Sequence, residues 1–117
     1  MEHKEEPVKY MLMVCTDPSD IVEETPGGLT IDEWLDEMTA RKVRLDGDRL
    51  RPSTEATTVR VRGGDVLVTD GPYVETKEQM AGYDIIDAAD LDEAIEIASK
   101  HPVARFGMIE VRPFWVE

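Results

Sequence analysis

At 117 residues, with 41% hydrophobic residues, two Trp, three Tyr and two Phe, the chain is sized for one domain that buries roughly two-thirds of its unfolded surface. The formal charge of −13 is uneven, with eleven acids against two bases in residues 1–40 and fifteen against eleven in residues 41–117; such a field repels phosphate backbones and, with no basic stripe, excludes direct nucleic-acid binding. No apolar run approaches the ~20 residues that cross a bilayer, and the polar start Met1-Glu2-His3-Lys4-Glu5-Glu6 is unlike a signal peptide, so a cytoplasmic protein without a membrane span is expected.

Residues 1–7 end at Pro7 and read as a flexible N-terminal lead-in, and residues 8–117 read as a single domain. From Val8 to Cys15 both alternating faces are apolar, with Val8, Tyr10, Leu12 and Val14 on one and Met11, Met13 and Cys15 on the other. That is the pattern of a central strand covered on both sides. Asp17-Pro18-Ser19 and Thr25-Pro26-Gly27-Gly28 punctuate a loop of about a dozen residues, long enough for a lid or rim. Thr30-Ile31-Asp32-Glu33 has the form of a capping box, in which hydroxyl and carboxylate each accept an otherwise unpaired backbone N–H. It opens a helix with Ile31, Trp34, Leu35 and Met38 as its apolar stripe and Arg41 and Lys42 at its C-terminal end.

Leu45 to Leu50 carries an Asp46-Gly47-Asp48 turn signal and is closed by Arg51-Pro52, so a strand here is short and near an edge. Val59-Arg60-Val61-Arg62 alternates as a half-buried strand does, and Gly63-Gly64 supplies the positive φ angles of a two-residue turn. In that register Val61 faces Val66, Val59 faces Val68 and Arg62 meets Asp65. Ala81 to Asp87 is a further strand. Asp90-Leu91-Asp92-Glu93 caps a second helix with Leu91, Ala94, Ile95 and Ala98 as its stripe, Lys100 and His101 as cations at its C-terminal end, and Pro102 beyond. In the last strand, Gly107 to Pro113, Ile109 and Val111 point one way and Met108, Glu110 and Arg112 the other.

Strand-helix-strand thus occurs twice with a hairpin inserted between the halves, which predicts an α+β ferredoxin-like sandwich: two helices on one face of an antiparallel sheet. The other face is left uncovered. Because the first strand is apolar on both sides, a second protomer is expected there, making a homodimer.

The most distinctive stretch is V-L-V-T-D-G-P-Y-V-E-T-K-E, from Val66 to Glu78, where a strand runs into a charged turn bearing Pro72. With K-Y-M-L-M, T-T-V-R-V-R, D-L-D-E-A-I and I-E-V-R-P it resembles the YCII-related proteins from Lys9 to Arg112, in the branch named for an Asp-Gly-Pro-Phe tetrapeptide (DGPF), with Tyr73 where that branch usually has Phe. The resemblance implies kinship with the dimeric α/β-barrel group. Some of the wider family act on chlorinated aromatic ring-cleavage or hydroquinone-type substrates through a proposed His-Asp pair. Neither His3 nor His101 matches that histidine, so the pair is not carried over, and residues 16–50 are shorter and more acidic than the family pattern. The branch also occurs beside or fused to extracytoplasmic-function sigma factors, which implies a regulatory setting.

Asp70 is the leading catalytic candidate, since a partly desolvated carboxylate at a strand end is a usable general base or acid; Asp before Gly-Pro is equally a turn former. Tyr73 suits stacking on a ring or donating its hydroxyl, and Glu75, Lys77 and Glu78 suit polarising a substrate carbonyl. Arg112 suits a substrate carboxylate, or else an ion pair with Glu110. Cys15 is the single cysteine, which precludes an intrachain disulfide, and it reads as a small buried hydrophobe. No phosphate loop, dinucleotide fingerprint, serine elbow or EF-hand is present, and the pairs Asp84/Asp87 and Glu23/Glu24 lack a convergent His or Cys, so neither cofactor nor metal is expected. Two readings follow: a homodimer binding a small, aromatic or carboxylated molecule for cofactor-free proton transfer by Asp70, or a non-enzymatic regulatory domain whose acidic helical face engages a basic partner.

Overall fold

The double apolar alternation of the first strand is realised as β1 (Val8–Thr16), a central strand paired antiparallel on both sides. A computed structural model describes residues 6–17, 27–73 and 77–116; the lead-in at 1–5, the middle of the long loop at 18–26 and Glu75 lie outside the described residues. After β1 come α1 (Ile31–Ala40), β2 (Arg44–Arg49), β3 (Thr57–Arg62), β4 (Asp65–Asp70), β5 (Gln79–Ala88), α2 (Leu91–Ser99) and β6 (Met108–Pro113). One antiparallel sheet has the order β2-β5-β1-β6, and β3-β4 form a separate two-stranded sheet. Two interleaved strand-helix-strand units with both helices packed into a single core give an α+β architecture compatible with a ferredoxin-like fold.

The helices start where their caps dictate. The Thr30 hydroxyl accepts the Glu33 N–H at 3.2 Å and the Glu33 carboxylate accepts the Thr30 N–H at 3.0 Å, bonds that hold the Glu33 carboxyl below its ordinary range. In α2 the Asp90 carboxylate accepts the Glu93 N–H, but Glu93 reaches back to the Ala89 N–H, one residue before the cap. The core is Tyr10, Leu12, Ile86 and Ala88 from the sheet against Trp34, Met38, Ala94, Ile97 and Ala98 from the helices. Fully burying Trp34, Leu12, Met38, Ile86 and Ile97 stabilises the fold by roughly 2 kcal/mol for each side chain.

Three sequence expectations need correction. In α2 the core takes Ala94, Ile97 and Ala98, while Leu91 and Ile95 stand half exposed. The Trp34 indole N–H donates to the Ile97 carbonyl at 3.0 Å, and the helix turns its Ile97 side toward α1. Asp46-Gly47-Asp48 is not a turn: it lies within β2, the edge strand, where a Cβ on Gly47 would come within 2.6 Å of the Tyr83 carbonyl. The side chains of Asp46 and Asp48 each accept the next residue's N–H at 2.8 Å, which blunts that edge. The hairpin strands β3 and β4 form with the expected register, Val59 opposite Val68 and Val61 opposite Val66, yet both faces are largely exposed.

Candidate functional site

The signature tetrapeptide sits at the root of the hairpin, and its residues have separable tasks. Asp70 ends β4 opposite Thr57. Gly71 follows at φ +97°, a conformation that favours glycine; its N–H donates to the Ala56 carbonyl at 2.7 Å and its carbonyl accepts the Thr58 hydroxyl at 2.8 Å. The Arg60 guanidinium lies over the Tyr73 ring, 4.9 Å from its centroid. The root is therefore held by backbone groups, Thr58 and a cation-π contact. The Asp70 side chain takes no part in it: it is exposed and makes no hydrogen bond or ion pair among the described residues.

The uncovered sheet face is the second component. Met11, Met13 and Cys15 of β1 and Tyr83 and Ile85 of β5 form a half-buried apolar floor, extended by the more exposed Met80 and Met108. Charges line its rim: Asp46 and Asp48 on β2, Asp87 on β5, and Glu110 and Arg112 on β6. Burial, then Glu110 and then Glu78, push the Cys15 thiol up, so it stays protonated at neutral pH and unsuited to nucleophilic work.

Lys77 lies at the end of the floor where β1 finishes and β5 begins. Its side chain is 83% exposed, and its ammonium stands 3.9 Å from the buried Asp17 carboxylate. In sequence Asp17 is loop punctuation before Pro18, and its place two residues past an apolar run is the one signal of burial. Arg112 lies opposite Met11, four positions along β1 from Cys15 and hence about 13 Å from that end. It donates to Glu110 at 2.6 Å, with both side chains at least half exposed. Asp70, Tyr73 and Lys77 thus share the passage from β4 into β5, while Arg112 stands apart on β6.

Two further polar groups are buried on the helical side and hold structure. Asp84 accepts from Arg44 Nε at 2.8 Å, yet desolvation outweighs the cation and pushes its carboxyl up. His101 is 3% exposed, packs edge-on against Trp34 at 4.7 Å and accepts the Val103 N–H on Nδ1 at 3.0 Å. Burial, with Arg105 nearby, lowers its pKa to about 4, so it is a neutral cap for the 3-10 turn Pro102–Arg105, not the helix-end cation the sequence suggested. Among the described residues no group of three His, Cys, Asp or Glu is placed to hold a metal, and no helix is long and apolar enough to cross a membrane. One surface groove of about 330 Å³ runs between α2 and β6, and a hollow of about 370 Å³ lies by Leu29, Lys100 and Arg105; neither is lined by Asp70, Tyr73, Lys77 or Arg112.

A family model described as YCII-related domain matches residues 8–116. An uncharacterized protein of Rhizobium meliloti (strain 1021) is 48% identical over 67 residues, which are 56% of this chain and 54% of that protein. The chain spans about half the length of the curated relative that it matches.

Proposed function

From the premise that this chain belongs to the YCII-related domain family, we propose that it acts as a homodimer binding a small carboxylated or aromatic molecule, with Asp70 as general base in cofactor-free proton transfer. The observation that carries this reading is the open sheet face. An apolar floor of Met11, Met13, Tyr83 and Ile85, bordered by a few charges, has the make-up of a ligand site, and the described residues leave it half exposed. A second protomer on that face encloses the site and removes its water, which strengthens every charge contact within.

In this reaction Asp70 takes a proton from the ligand. Lys77, exposed at the end of the floor, receives the negative oxygen that develops, and Tyr73 packs against the ligand ring. Arg112 binds a ligand carboxylate by exchanging its Glu110 partner for it. Screening of small aromatic and carboxylated compounds by thermal shift identifies the ligand, and Asp70→Asn then lowers its turnover at least a hundredfold with binding retained. Unchanged turnover in that variant removes Asp70 as the base.

A further inference from the structure

The hairpin poses a physical problem that the other described residues do not solve. Val59, Val61, Val66 and Val68 form two cross-strand pairs on one face, and each is 58–65% exposed. An isolated two-stranded hairpin is marginal in water, and β3 and β4 pack chiefly on each other. The molecule is correspondingly drawn out, measuring 56 × 42 × 18 Å with a radius of gyration of 17.0 Å, against about 13 Å for a compact domain of this length.

The described residues also leave a further apolar surface, distinct from the open sheet face, without cover. The groove between α2 and β6 is lined by Ile95, Ala98, Ala104, Ile109 and Val111, with Ile95 half exposed at its margin. It lies at the free edge of the main sheet, since β6 pairs only with β1.

Charge selects the occupant. Residues 50–73, which contain the hairpin and its root, hold Arg51, Arg60 and Arg62 against Glu55, Asp65 and Asp70, so their net charge is zero and the whole −13 lies elsewhere. Most surfaces of one copy repel most surfaces of another, whereas the hairpin approaches a second copy without that penalty. It brings a valine face that matches an apolar groove the copy already has.

We infer that the hairpin is an exchange arm that lays its Val59/Val61/Val66/Val68 face on the α2–β6 groove of a second copy, which gives the same in return. Two-fold symmetry makes both contacts at once, so every residue of the interface counts twice. The inference rests on the homodimer of the proposed function and adds a contact independent of the open sheet face. It also touches the candidate chemistry. Asp70 alternates onto the same hairpin face as Val66 and Val68, so a partner seated on the stripe takes water from around its carboxylate.

The test is sedimentation equilibrium of the full chain and of V61E, I95E and M13E. Val61 and Ile95 are 58% and 50% exposed in the single chain, so V61E and I95E keep the wild-type far-UV circular dichroism. A wild-type dimer whose dissociation constant rises at least a hundredfold in V61E and again in I95E is the expected result. Hydrogen exchange gives a second readout that needs no variant: β3 and β4 amides are protected at dimer concentrations and lose protection on dilution. A dimer unaffected by V61E, or by I95E, overturns the inference; if M13E splits that same dimer, the homodimer through the open sheet still stands. A wild-type monomer overturns both.

Discussion

His101 gives the sharpest quantitative prediction, because it is a titratable group enclosed by apolar neighbours. Its pKa is about 4 in the fold against 6.5 when exposed, since an imidazolium at 3% exposure beside Trp34 has lost its water and has Arg105 near it. The unfolded chain therefore takes up the proton first. The stabilisation from keeping His101 neutral is complete above pH 6.5, falls as pH drops, and is fully lost below about pH 4. A difference of about 2.5 pKa units corresponds to about 3 kcal/mol. The wild-type profile alone does not isolate the contribution of His101. Asp84 has the opposite sign, its raised carboxyl taking a proton more readily in the fold, and acid also relieves repulsion within a chain of charge −13. His101→Asn isolates it, because its amide oxygen can still accept the Val103 N–H but does not titrate. Urea unfolding of both proteins from about pH 7.5 to about pH 4 is expected to show the stability difference shrinking by about 3 kcal/mol. A difference that stays constant over that range, or an imidazole whose NMR titration in the folded protein is centred near 6.5, refutes the assignment.

Arg44→Leu leaves the buried Asp84 carboxylate without its guanidinium and should lower stability by about 3 kcal/mol at neutral pH, less in acid as Asp84 takes a proton; a loss under about 1 kcal/mol in urea unfolding would show that the pair is solvated. Gly71→Ala places a Cβ where φ is +97° with no atom within 4 Å, so backbone strain alone acts, at about 1–2 kcal/mol. Its effect is expected at the root of the hairpin, as faster amide exchange in β3 and β4 with the main sheet unchanged; uniform exchange rates would mean that the turn does not govern the arm.

What the sequence made legible was whatever one local interaction decides. Gly63 and Gly64, at φ +57° and +84°, fix the hairpin turn, and the turn fixes the register of every pair from Arg62–Asp65 back to Thr57–Asp70. Thr30 and Glu33 decide the start of α1 in the same way. Tertiary choices were less legible. A helical stripe of Leu91, Ala94, Ile95 and Ala98 and one including Ile97 satisfy the same spacing, and only the contact with Trp34 chooses between them. His101 stands where a cation would suit a helix end, and only its packing on Trp34 makes it neutral. Gly47 resembles a turn residue until the approach of Asp84 and the Tyr83 carbonyl explains why a strand needs it. The tetrapeptide was legible as a motif, although the motif does not disclose that its glycine and tyrosine, but not its aspartate, hold the hairpin root.

The two faces of the main sheet differ in how far the described residues complete them. On the helical side every buried polar group described above is matched: Asp84 by Arg44, His101 by the Val103 N–H and the Trp34 N–H by the Ile97 carbonyl. Substitution there changes stability first. On the open side and along the hairpin, the apolar side chains are half covered or bare, and Asp70, Tyr73, Lys77 and Arg112 are exposed. A single layer of helices covers one face of the sheet, and in the proposed homodimer a second copy covers the other. Asp70 lies at the root of the proposed arm, on its valine face, in a chain whose other acids make unspecific association unfavourable. An exposed carboxylate is a weakly tuned base, whereas one at the edge of an apolar contact has an environment set by whether the contact is made. The proposed base and the proposed arm exchange together predict that assembly and the reactivity of Asp70 are one equilibrium, so that V61E, far out on the arm, lowers turnover of an identified substrate along with dimer affinity.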